Sequence, residues 1–163
     1  MIAATEDFDG TWPFAPNFFA GAGFNMHYVD EGQGDPIICL HGEPTWGYLY
    51  RNFIPALAET HRVVVPDHMG FGKSETPQDR EYSLKSHSEN LTALIEQLDL
   101  KNITFVMQDW GGPIGTAVTL RHPERVKRLC LMNTVTGYGG AKPGPLPPWF
   151  EFIKKHHEAG TIE

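Results

Sequence analysis

Short apolar runs rich in β-branched residues alternate along this chain with longer segments of helical period, and that alternation limits the fold more than any other feature. Residues 24–29 alternate like a half-exposed strand, and the polar stretch 30–35 that follows is a turn. Residues 36–40 are apolar throughout and read as a central strand ending at His41-Gly42. Residues 62–66, 103–107 and 126–132 read as further strands. Between them, Tyr48, Leu49, Phe53, Ile54 and Leu57 recur with helical spacing, as do Leu84, Leu91, Leu94, Ile95 and Leu98, and then residues 114–120. Strands that alternate with helices predict an α/β fold: a mostly parallel, doubly wound sheet. The 163 residues, 40% of them hydrophobic, suffice for one core.

The composition narrows the partners. Thirteen Lys and Arg face 20 Asp and Glu, a net charge of -7, so a surface that tracks nucleic-acid phosphates is not expected. No stretch approaches the roughly 18 apolar residues of a membrane span, and the first residues lack the basic start and apolar middle of a signal peptide, so a cytoplasmic protein is expected. Cys39 and Cys130 both fall in apolar strands and are expected as reduced, buried thiols. His27, His61, His68 and His87 show no ligand spacing, and no metal is expected. Trp12, Phe14, Phe18 and Phe19 are expected to pack against the sheet edge. Beyond Asn133 the glycines and prolines of 137–148 form a stiff connector before a helical pattern at 149–157, which divides the chain into a core portion, 1–135, and a connector with the start of a helical cap, 136–163.

Two junctions carry chemistry. Met107-Gln108-Asp109-Trp110-Gly111-Gly112 leaves a strand and enters a helix, the setting in which a sharp turn with small neighbours lifts one side chain above the sheet. Here that side chain is Asp109, and the helix that follows aims its N–H groups and positive dipole end at it. An ordinary N-capping aspartate would read the same way. His41-Gly42-Glu43-Pro44-Thr45-Trp46 follows the central strand, where a backbone N–H can serve an oxyanion hole; Glu43 and Trp110 would be the two donors. A plain turn is the alternative. Both junctions lie at the C-terminal ends of predicted parallel strands, where open α/β sheets place their sites.

Those two motifs, together with Pro66-Asp67, Gly70-Phe71-Gly72-Lys73-Ser74 and Met132-Asn133, resemble the haloalkane dehalogenases of the α/β-hydrolase superfamily. The resemblance runs from about Phe24 to Asn133. It implies the α/β-hydrolase fold, a cofactor-free hydrolase, a small halogenated alkane as substrate and a halide ion as product. By the same resemblance Asp109 is the nucleophile that forms a covalent alkyl ester, and Trp110 donates its indole N–H to the departing halide. The family's second halide donor is an Asn in the loop after the central strand or a Trp of the cap; position 43 is Glu, which leaves Trp149 as the candidate. An epoxide hydrolase would share the Asp109 ester, although Gln108 replaces the His usual there, and a non-catalytic binding module is the alternative from another class.

The family also needs a histidine base with an acidic partner, far downstream of the nucleophile. His122, His156 and His157 are the histidines after Asp109, and none fits that position. The expectation is therefore the N-terminal half of a longer enzyme, unable by itself to complete turnover. The 67–74 loop is expected to be structural, since its Lys-Ser pair lacks Walker spacing.

Overall fold

The computed structural model describes residues 2–135 and Lys155. Among these, six strands form one sheet: β1 (Asn17–Phe19), β2 (Met26–Glu31), β3 (Pro36–Leu40), β4 (Arg62–Pro66), β5 (Ile103–Gln108) and β6 (Val126–Met132). Their spatial order is β1-β2-β4-β3-β5-β6. β4, β3, β5 and β6 are mutually parallel, while β2 pairs antiparallel with both β1 and β4. Three helices, α1 (Ile54–Ala58), α2 (Leu84–Gln97) and α3 (Gly111–Arg121), complete the expected α/β architecture.

The two faces of the sheet bury different sets of residues, as strand alternation requires. Ile38, Leu40, Val64, Ile103, Phe105 and Met107 face Leu91 and Ile95 of α2 and Ile114 and Val118 of α3. Val29, Ile37, Cys39, Val63 and Val65 face Trp12, Tyr50 and Ile54. Covered on both sides, β3 has no exposed residue, which is why its sequence shows no alternation. α2 starts at a capping box in which the Ser83 hydroxyl accepts the Ser86 N–H and the Ser86 side chain answers the Ser83 N–H.

Three expectations are corrected. The segment 48–57 is not one helix: a 3-10 turn at Gly47–Tyr50 precedes the five-residue α1, because Pro55 in the first turn of α1 has no N–H with which to continue a helix from that turn. Trp12 is not at the sheet edge but buried in the core under Tyr50 and Ile54, whereas Phe18, on the edge strand β1, is exposed. Cys130 is exposed as well, with Leu129 and Leu131 beside it. β6 is the outermost strand, and no described element covers the faces of its middle residues, so an apolar run there does not amount to burial. Cys39 is buried as expected, and burial pushes its thiol up to about 12.

Candidate active site

β5 ends at Gln108, and the next residue turns the chain through a left-handed backbone conformation: Asp109 has φ 50°. A non-glycine residue there costs about 1–2 kcal/mol and persists only where its surroundings hold it. The Asp109 N–H donates to the Asn133 carbonyl at 3.3 Å, and the Asp109 carbonyl accepts the Thr134 hydroxyl and the Gly112 N–H. The segment after β6 thus clamps the turn from one side and α3 from the other. Helix α3 can lie this close only because its first residues lack side chains. A Cβ on Gly111 would run into the backbone of Leu40, and one on Gly112 into Thr134 and Val135.

The carboxylate is oriented from a second strand. Leu40 of β3 pairs with Met107 of β5, so the loops leaving both strands emerge side by side. The Glu43 N–H donates to Asp109 Oδ1 at 2.9 Å. Gly42 leaves the room: a Cβ there would overlap the Asp109 side chain and stand 2.6 Å from the Trp110 nitrogen. Asp109 is not the N-cap of α3, because that position belongs to Trp110 and the Asp109 carboxylate is held by Glu43 instead. No hydrogen bond from a described residue engages Oδ2.

Glu43 and Trp110, which flank the carboxylate, both border a cavity of about 300 Å³ together with His68, Phe71, His87, Ile114 and residues 82–84. Trp110, which lines that space, is 42% exposed. Trp149, His156 and His157 lie outside the described residues.

Three histidines cluster at this cavity: His68 and His87 line it, and His41 is buried beside His68. His41 and His68 rings are 4.3 Å apart, and His87 is 5.6 Å beyond His68. The His68 N–H donates to His41 Nε2 at 2.9 Å, which places the His41 proton on Nδ1, facing the Gly42 carbonyl. Burial is the main cause that lowers the pKa of all three, most strongly for His68, and mutual proximity of the imidazoles acts in the same direction for His68 and His87. All three are neutral at pH 7. The spacing of His68 and His87 in the sequence carried no sign of this cluster, because three separate elements bring it together. Thr134 was equally hidden; an isolated Thr after a strand has no signature.

Below the site, Asp67 at the end of β4 is fully buried and accepts three hydrogen bonds, from His27 Nδ1, the Gly47 N–H and the Lys73 N–H, each at 2.8 Å. This hub fixes the loop that carries His68 and Phe71, in line with the structural role expected of residues 67–74. Among the described residues no group of three His, Cys, Asp or Glu side chains could hold a metal. No described helix is long and apolar enough to cross a membrane.

A carboxylate at a strand-to-helix elbow, facing a backbone N–H from the neighbouring strand's loop, defines a class. Residues 35–158 match the family model described as alpha/beta hydrolase fold, and the chain belongs to that family. More particularly, it is 44% identical over 158 residues to the cis-3-alkyl-4-alkyloxetan-2-one decarboxylase of Shewanella oneidensis, covering 94% of this chain and 49% of that protein. It is 42% identical over 146 residues to a haloalkane dehalogenase of Psychrobacter cryohalolentis, covering 85% of this chain and 48% of that one. Among solved structures, the haloalkane dehalogenase of Paraglaciecola agarilytica superposes with a TM-score of 0.80 at 41% identity, over 89% of this chain and 52% of its own. The chain spans about half the length of the relatives it matches.

Proposed function

We propose that the protein carrying this sequence is a haloalkane dehalogenase in which Asp109 is the nucleophile. The observation that carries the reading is the held carboxylate: Oδ1 is fixed by the Glu43 N–H, and Oδ2 is left without a partner among the described residues. One oxygen is oriented and the other is available for in-line attack on carbon. The new C–O bond forms as the carbon–halogen bond breaks, and the halide leaves with the electron pair. Trp110 donates its indole N–H to that halide, and Trp149, on the connector and cap that residues 136–163 begin, supplies the second N–H. Water then hydrolyses the ester to alcohol and acid, a step whose histidine base and acidic partner we assign to the remainder of the protein. The two free cysteines are consistent with a cytoplasmic setting, where such an enzyme would detoxify small halogenated alkanes.

A second reading follows from the Shewanella relative: the same Asp109 attacks the ring carbon that bears the ring oxygen of an oxetan-2-one, and the ring C–O bond breaks as the new C–O bond forms. The carboxylate so released is then lost as carbon dioxide while the C–O bond to Asp109 breaks, which leaves an alkene and returns the Asp109 carboxylate. The 44% identity to that relative is the observation that favours it.

The test is intact-mass spectrometry of acid-quenched, full-length protein after exposure to 1-bromobutane. The expected result is a butyl adduct on Asp109 that Asp109→Asn lacks. An undiminished adduct in the variant overturns the nucleophile assignment. Absence of bromide release, with carbon dioxide released from a cis-3,4-dialkyloxetan-2-one, decides for the second reading.

A further inference from the structure

The cavity beside Asp109 is not lined by hydrocarbon alone: His68 and His87 are among the residues of its wall. His68 is committed to the framework. Its N–H donates to His41 Nε2, and its own Nε2 donates to the His41 carbonyl at 3.1 Å, so it ties the loop after β4 to the loop after β3. His87, in the first turn of α2, has no such engagement. Among the described residues its Nδ1 is buried without a partner, and no hydrogen bond reaches its Nε2.

An unpaired polar atom in a buried setting costs about 1–3 kcal/mol, and Phe or Leu would fill the same wall without that cost. Burial keeps the His87 ring neutral, with His41 adding to the effect. A neutral imidazole carries one proton. With that proton on Nε2, only a lone pair goes unpaired at Nδ1, and the side chain offers the cavity a single N–H donor.

We infer that His87 is a substrate-positioning residue whose Nε2–H donates to an oxygen on the substrate, away from the carbon that Asp109 attacks. The site then takes an oxygen-bearing electrophile in preference to a bare haloalkane. This rests on the assignment of Asp109 as the nucleophile. It is chemically distinct from that assignment, because His87 takes no part in bond making and acts only on where the substrate's remote end settles.

The experiment compares two probes of equal heavy-atom count in full-length protein: 1-bromohexane and 2-bromoethyl propyl ether. Rates of Asp109 alkylation are read by rapid quench and intact-mass spectrometry. The ratio of the ether rate to the hexyl rate, compared between the parent and a variant, cancels the probes' intrinsic reactivities. His87→Phe and His87→Leu both remove the donor, and the ratio is expected to fall about tenfold in each, the worth of one hydrogen bond. His87→Gln, which returns an N–H, is expected to recover most of it. A purely structural role would slow both probes alike and leave the ratio unchanged. If His87→Phe does not fold, His87→Leu decides. A ratio that stays within twofold of the parent's overturns the inference while the nucleophile assignment stands. No adduct from either probe in the parent overturns both.

Discussion

The Glu43 N–H stands 2.9 Å from Asp109 Oδ1 although 66 residues separate the two in the chain. Parallel pairing of β3 with β5 accounts for the meeting: Leu40 lies opposite Met107, so the chain leaves both strands at the same level of the sheet. An aspartate at an elbow would otherwise be free to turn toward the N–H groups of its own helix. The contact from the loop after β3 instead fixes one oxygen and so sets where the other stands.

Gly42 is what permits this contact. Because a Cβ at that position would overlap the Asp109 side chain, Gly42→Ala must push either the carboxylate or the Trp110 backbone aside. A misplacement of about 1 Å costs on the order of a hundredfold in rate. Alkylation of Asp109 by 1-bromobutane, followed by intact-mass spectrometry, is expected to slow by about that factor. Retention of the parent rate within threefold would show that the Glu43 contact does not orient the nucleophile.

Asp67 should matter for stability rather than for chemistry. Its carboxylate answers His27, Gly47 and Lys73 in a site without solvent access, and Asp67→Ala leaves these donors buried and unpaired. The expected loss is about 3–5 kcal/mol, measured as the change in unfolding free energy from urea titration, or seen as failure to accumulate folded protein. A loss below about 1 kcal/mol would mean that the loop carrying His68 is held by other contacts.

The two thiols should separate cleanly in reactivity. Cys39 is fully buried and its pKa is pushed up to about 12, so at pH 8 the reactive thiolate is scarce and enclosed. Cys130 is exposed on β6. Iodoacetamide at pH 8 is therefore expected to label Cys130 first, and Cys39 only after denaturant is added. Peptide mapping checks the order. Equal labelling of both residues in native protein would contradict the burial of β3, and protection of Cys130 would mean that β6 is covered in the whole protein.

Much of the fold could be read along the chain because it depends on local pattern. The run 62–66 became β4 and the run 126–132 became β6 with the bounds expected, and the helical spacing from Leu84 to Leu98 became α2, capped by Ser83. These patterns encode which face of an element is apolar, and a strand or helix in a single core has one main way to satisfy that. Where two rules compete locally, pattern alone misleads: between Tyr48 and Leu57 the apolar spacing suits a helix, and Pro55 breaks it. At Cys130 the apolar run suggests burial, but burial depends on a neighbour that periodicity alone does not supply.

Most of the elements, the elbow at Asp109 and the loop after β3 are legible along the chain, since each is written in contiguous residues whose sterics and polarity act within a turn or two; the three-residue β1 and the break within 48–57 are not. Tertiary structure decided which groups meet there. The Glu43 N–H on Asp109 Oδ1, the Thr134 hydroxyl on the Asp109 carbonyl and the packing of His41, His68 and His87 all join separate segments. Strand order brings those segments together, and strand order is selected by how the whole set of apolar faces packs into one core, a property that no short window of the chain contains.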